Sequence, residues 1–103
     1  MADLTTLPAR EVIGLLRRRE VSPLELIDAS LARIEAVGAR VNAVPTICAE
    51  RARARARRLT DMAPQEQDRG ALAGLPVLIK DLVEVEGVRT TMGSPIFAVN
   101  VPD

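Results

Sequence analysis

The sequence predicts an α/β fold that opens with helices and closes with strands. Through about residue 62, apolar residues recur at steps of three and four, the spacing of one helix face. The run Leu75-Pro76-Val77-Leu78-Ile79 has no polar alternation, which is the pattern of a strand covered on both faces. Between them, Ala63 to Ala73 is polar, and across it the periodicity changes from helical to extended. A strand buried on both faces needs parallel neighbours and helices on each side. This chain offers few of either, so the expectation is the opening portion of a larger α/β domain. Within it, a helical region covers about 7–62, a loop 63–73 and a strand region 74–103.

Each element has its own signal. Pro8 suits a first helical turn, and Val12, Leu15, Leu16 and Arg19 follow on one face. Arg17, Arg18 and Arg19 set cations near the negative end of that helix. Ser22 is then an N-cap, Pro23 the first helical residue and Glu25 the third, which completes a capping box. Leu24, Ile27, Leu31 and Ile34 form the apolar stripe of this second helix, and Gly38 is its expected stop. The pair reads as a helical hairpin with more apolar surface than it can bury. Val41 to Ile47 reads as a short extended segment, with Pro45 arguing for an irregular or edge position.

A third helix is expected from about Ala49 to about Met62. Arg51, Arg53, Arg55, Arg57 and Arg58 spread around more than half of it, and Ala49, Ala52, Ala56 and Leu59 keep a narrow apolar stripe. Beyond the loop, Pro76 is tolerable at a strand's first residue. Val83 and Val85 alternate with Glu84 and Glu86 as a half-exposed strand that Gly87 turns. Val88 to Met92 follows, and Gly93-Ser94-Pro95 makes the next turn.

Absences narrow the chemistry. The chain has no histidine, which excludes Ser-His-Asp and Cys-His catalysis and histidine metal sites built from these residues alone. Cys48 is the single cysteine, so no internal disulfide forms, and it reads as a small buried hydrophobe. No cofactor and no metal are expected. The 14 basic and 14 acidic residues cancel, leaving no net field for nucleic acid or membrane. The arginine run reads as a solvated face, because a nucleic-acid patch wants concentrated charge and aromatic neighbours, and Phe97 is the only ring. Met1 to Thr6 lacks the basic start and apolar core of a signal peptide. No stretch approaches the roughly 20 apolar residues that span a bilayer. A cytoplasmic protein without nucleic-acid or membrane partners is the expectation.

Against thirteen arginines the chain sets one lysine, Lys80, and it ends the most apolar run in the sequence. Arginine stays protonated in nearly any protein setting, whereas a lysine taken out of water gives up its proton far more readily. Lys80 is therefore either a base delivered by a strand or a solvated cap on a core strand. Counting by twos sets Leu78 and Pro76 on its face, and Val77, Ile79 and Asp81 on the other. The end of such a strand opens into the crevice where α/β sheets commonly bind ligands. Asp81, turned away, is expected to anchor the following turn through backbone N–H groups. Thr90, Thr91 and Ser94 read as structural hydrogen-bonding hydroxyls, although a Lys80–Ser94 dyad is chemically conceivable. Arg69 and Arg89 could meet an anionic substrate, against the ordinary state of a solvated surface arginine.

Gly74-Leu75-Pro76-Val77-Leu78-Ile79-Lys80-Asp81, followed by Gly87 and by Thr90-Thr91-Met92-Gly93-Ser94, resembles the amidase signature family. Leu15 to Ser22, Leu31-Ala32-Arg33-Ile34-Glu35 and Val41-Asn42-Ala43 look like the opening of the same family. The resemblance runs from about Leu7 to Pro102. It implies that residues 1–103 form the N-terminal part of one α/β/α domain built on a mixed sheet.

It also implies carboxamide C–N hydrolysis by a Ser-cisSer-Lys triad, with Lys80, as a neutral amine, the catalytic base. The two serines of that triad belong to a later glycine- and serine-rich loop, and neither Gly-Gly-Ser nor Ser-Ser-Gly occurs in these 103 residues. The chain alone is then expected to be inactive, and its partner in the complete enzyme is a small-molecule amide. Some members make dimer contacts through their N-terminal helices, so the resemblance allows a homodimer. Two rivals stand beside this reading. One is a non-catalytic helical interaction module, either a truncated gene product or a shortened relative, that docks through Leu24, Ile27, Leu31 and Ile34. The other is the amidase component of a tRNA-dependent amidotransferase, in which an Asn commonly follows the Lys-Asp pair where this chain has Leu82.

Overall fold

The computed structural model of the chain describes residues 3–62, 70, 72 and 74–103. The loop expected over 63–73 lies almost entirely outside them, as does Arg69. Three α-helices come first: α1 Ala9–Arg17, α2 Pro23–Val41 and α3 Ala49–Asp61. A single 3₁₀ turn, Pro95–Phe97, follows in the closing segment.

The helix boundaries follow local chemistry. At the start of α2 the Ser22 hydroxyl accepts the Glu25 N–H at 3.1 Å, and the Glu25 carboxylate accepts the Ser22 N–H at 2.7 Å. That is the expected capping box, with Pro23 at the first position. Helix α1 ends in a Schellman arrangement: Glu20 N–H donates to the Leu15 carbonyl at 3.0 Å and Arg19 N–H to Leu16 at 3.1 Å. Arg19 therefore takes φ of 57°, a position glycine fills more cheaply.

Gly38 is not the stop of α2. The helix continues for another turn to Val41 and ends on Asn42, left-handed at φ 50°, whose N–H reaches the Gly38 carbonyl at 2.6 Å. Asparagine tolerates that conformation almost as well as glycine, so the terminating residue moves four places on.

Each helix contributes to the core: Val12 from α1, Pro23 and Leu26 from α2, and Ala56 from α3. The closest helix packing is α2 against α3, so the packed hairpin is the second pair and not the expected first pair. Alanines on the inner side of α3 permit that approach, and Arg53 Nε donates to Asp28 Oδ1 across it at 2.9 Å. Leu26, absent from the stripe read off the sequence, is the most buried leucine of α2. Ile27, Leu31 and Ile34 instead border an open groove of about 340 Å³ with Val44, Ile47 and Leu78.

The strand region differs from expectation. Among the described residues there is no β-strand, only one isolated antiparallel bridge between Val85 and Val88. The run 75–80 is extended but unpaired, with Val77, Leu78 and Ile79 exposed at 65, 73 and 56 %. A strand needs at least one neighbouring strand to pair with, and the described residues supply none for this run. Gly87 does turn the chain, at φ 73°, but Gly87–Thr90 then runs beside the far end and not back along Val83. Gly87 N–H donates to Pro102 O and Thr90 N–H to Asn100 O, both at 2.9 Å. Two such bonds are too few for a ladder.

One contact fixes the entry of this segment onto the helices. Gly74, at φ 92°, sits so close to Pro23 and Leu16 that a Cβ there would lie 3.1 Å from Pro23 Cγ. Only glycine meets both the backbone angle and the space.

Candidate functional site

Lys80 ends the extended run and is exposed. Its carbonyl accepts the Val83 N–H at 2.9 Å, closing a tight turn directly after it. Lys80 lines an open cleft of about 590 Å³ between the 77–90 segment and helix α3. Arg51, Arg55, Asp81, Arg89 and Thr90 line the same cleft. The alternation read from the sequence does not separate cleanly, since Val77 and Leu78 border both this cleft and the apolar groove.

Asp81 is the best-held side chain here. Its Oδ1 accepts the Thr91 N–H at 2.8 Å, and its Oδ2 accepts the Thr91 hydroxyl. Its carbonyl takes the Met92 N–H at 2.9 Å. The Thr91 hydroxyl, followed by the Thr91 N–H, holds the Asp81 carboxyl below its ordinary value of 3.8, with Arg89 adding a smaller pull. The expected anchoring role is therefore present, but the anchored turn lies ten residues downstream. Met92 and Gly93 are left-handed there, at φ 54° and 69°, and the Gly93 N–H adds a bond of 3.3 Å to the Thr91 hydroxyl. Three bonds to Asp81 hold a bend that a methionine adopts only under such constraint.

The two threonines are the buried polar residues of the described chain: Thr90 is 2 % exposed and Thr91 is 8 %. Thr90 gives its hydroxyl to Val88 O at 3.0 Å, and its carbonyl accepts Asn100 Nδ2 at 3.0 Å. Ser94 caps the 3₁₀ turn by accepting the Ile96 N–H at 3.3 Å. Its hydroxyl is used structurally, and the structure brings no Lys80–Ser94 bond together. Thr90, Thr91 and Ser94 all do the structural work expected of them.

Arg89 is not the loosely solvated arginine of the ordinary case. Its Nε donates to Ala98 O at 2.5 Å, and a terminal nitrogen donates to Thr46 Oγ1 at 3.2 Å and Pro45 O at 3.4 Å. It staples the closing segment to the connection between α2 and α3. Arg51 does the same from α3, donating to the Glu86 carbonyl. Sequence reasoning missed both staples, for no periodicity links residues 35 to 44 positions apart. Cys48, expected in the core, is exposed at the start of α3, where the connection enters the helix. Among the described residues no group of acidic, histidine or cysteine side chains is placed to hold a metal, and no helix is long and apolar enough to cross a membrane.

Comparison with known proteins adds to this geometry. The amidase family model matches residues 25–103, which includes nearly all of α2, α3 and the whole Lys80 segment. A glutamyl-tRNA(Gln) amidotransferase subunit from Anaeromyxobacter dehalogenans is 39 % identical over 100 residues, covering 97 % of this chain and 20 % of that protein. The proteins of the same name from Salinispora tropica and Granulibacter bethesdensis are each 42 % identical, over 98 and 102 residues. They cover 95 and 99 % of this chain and 20 % of their own length. The chain thus spans about a fifth of the length of the curated relatives it matches. No solved structure matches it. With three quarters of its residues matched by the family model, and Lys80-Asp81 within the match, the chain belongs to the amidase family.

Proposed function

We propose that this chain supplies the base of an amide-hydrolysing site, and that Lys80 is that base. The observation that carries the reading is the family match over residues 25–103, within which Lys80 is the only lysine. The clamp of its neighbour Asp81 on Thr91 supports it, because a base must be held in place to work. In the reaction, the neutral Lys80 amine takes a proton through one serine from a second serine. The second serine's oxygen attacks the amide carbonyl, the C–N bond breaks, and ammonia or an amine leaves carrying the relayed proton. Water then attacks the acyl ester, yielding the carboxylic acid and restoring the serine. Both serines come from sequence outside these 103 residues. The same missing sequence supplies the neighbours that make 75–79 a sheet strand and cover its exposed side chains. The partner of the finished site is a small-molecule amide.

The test is a chimera in which these 103 residues replace the matching fifth of the Anaeromyxobacter dehalogenans relative. Amide hydrolysis is expected from the chimera and not from the chain alone. Lys80→Ala should lower kcat by about 10²- to 10⁴-fold, the usual worth of a positioned base, with the fold intact. Full activity in that variant would remove Lys80 from the chemistry. Hydrolysis by the 103-residue chain alone would remove the need for outside serines.

The relatives' names favour a second reading, in which the complete protein is the corresponding component of a glutamyl-tRNA(Gln) amidotransferase. The Lys-Asp-Leu sequence at Lys80 speaks for the general amidases. Assaying the chimera with free amides and with glutamyl-tRNA(Gln) as amide acceptor separates the two.

A further inference from the structure

The cleft that holds Lys80 carries a charge imbalance that the chain as a whole does not. Net charge over 103 residues is zero, yet Arg51, Arg55, Lys80 and Arg89 line this one cavity against a single carboxylate, Asp81. That carboxylate, held by Thr91, keeps its charge and offsets only one of the four cations. The cations come from three separate places: α3, the end of the extended run and the turn after Gly87. Two of them are fixed. Arg51 and Arg89 are held by backbone carbonyls, neutral partners that orient a guanidinium without cancelling its charge. Each keeps N–H groups free of those bonds, since a guanidinium carries five donors. Arg55, one turn along α3 from Arg51, makes no hydrogen bond or ion pair among the described residues.

Like charges brought into one cleft repel, and low-dielectric walls concentrate their field on whatever enters. Here the half-buried part of the lining is Val44, Val85 and Val88. From this we propose that the cleft binds a small oxyanion with an apolar body, its phosphate or carboxylate head between Arg51, Arg55 and Arg89. Planar guanidiniums suit either head. The proposal does not depend on Lys80 being a base, because its variants leave that residue untouched.

The test is calorimetric titration of the protein at low ionic strength with phenyl phosphate, benzoate and inorganic phosphate. One site is expected for at least one of the first two, tighter than for inorganic phosphate. Binding of phenyl phosphate alone identifies the phosphate head, and binding of benzoate alone the carboxylate head. Arg55→Gln should weaken binding roughly tenfold, the scale of one charge-assisted bond. Arg51→Gln in the same chain should weaken it further. Arg57→Gln, on α3 but outside the cleft lining, should leave it unchanged, with helical circular dichroism confirming the fold of each variant. No binding of either aromatic anion, or equal loss in Arg57→Gln and Arg55→Gln, would overturn the proposal, the second by showing diffuse charge only. Inorganic phosphate binding as tightly as phenyl phosphate would refute the apolar half of it.

Discussion

The helices and the closing segment are held by opposite means. From α1 to α3, the order comes mainly from bonds between residues three to five apart (the Ser22–Glu25 box, the Schellman close of α1, the Asn42 stop), with one longer tie from Arg53 to Asp28. Val12, Pro23, Leu26 and Ala56 are then buried. From Gly74 onward the order is polar and distant. Arg51 holds Glu86, Arg89 holds Thr46, Asp81 holds Thr91 and Thr90 pairs with Asn100. Many of its large apolar side chains meanwhile stay in solvent, Leu78 at 73 %. The lesson is that the helical part already uses hydrophobic residues to hold itself together, whereas the closing segment leaves Val77, Leu78, Ile79, Leu82 and Val83 uncovered and relies mainly on polar ties.

The sharpest way to break that contrast is a matched pair of leucine truncations. Leu26, 3 % exposed, should cost about 2–3 kcal/mol when changed to Ala, since a buried leucine leaves a cavity. Leu78→Ala, at an exposed site, should change stability by less than about 0.5 kcal/mol. Urea denaturation of the two variants reads the difference directly. Equal losses would mean that the apolar run is packed, and the comparison would fail.

Gly74→Ala tests the joint between the two regions. The substitution asks alanine to hold φ of 92° with its Cβ pressed on Pro23. A cost of about 1–2 kcal/mol is expected, from backbone strain and the close approach together. The same urea midpoint measures it. Should Gly74→Ala be neutral, the segment is not docked on Pro23 and Leu16.

What could be read from the sequence divides along the same line. The capping box, the alanine stripe of α3 and the start of each helix were legible because their causes lie within one or two turns, whereas the end of α2 was misplaced at Gly38. Leu26 was not, because a helix of mixed apolar faces does not say which face a partner will cover. The strands were legible only as a pattern: the run 75–79 has a buried strand's composition without the neighbours that would make it one. At the site, Lys80 stood out by being the single lysine, and the anchoring by Asp81 followed from its place after a strand. Its partner Thr91 did not, and neither did the staples made by Arg51 and Arg89. Contacts between residues ten to forty-four apart leave no period in a sequence.

The Asp81–Thr91 clamp gives the smallest effect and the most specific one. Hydrogen bonds from Thr91 lower the Asp81 carboxyl below 3.8, so the ionised form is favoured by folding. A carboxylate depressed in the folded state contributes stability that is fully present above its unfolded value. That contribution fades as pH falls through the folded value. Wild type should therefore exceed Asp81→Asn in stability at neutral pH, and the gap should close as the solution is taken below about pH 3.8. Asparagine can still accept from the Thr91 N–H and donate to its hydroxyl, so the variant isolates charge from geometry. Following the Thr91 amide resonance through the same titration ties the change to this pair. A gap that stays constant with pH would show that shape alone holds the bend, with the carboxylate charge adding nothing to the position of Lys80.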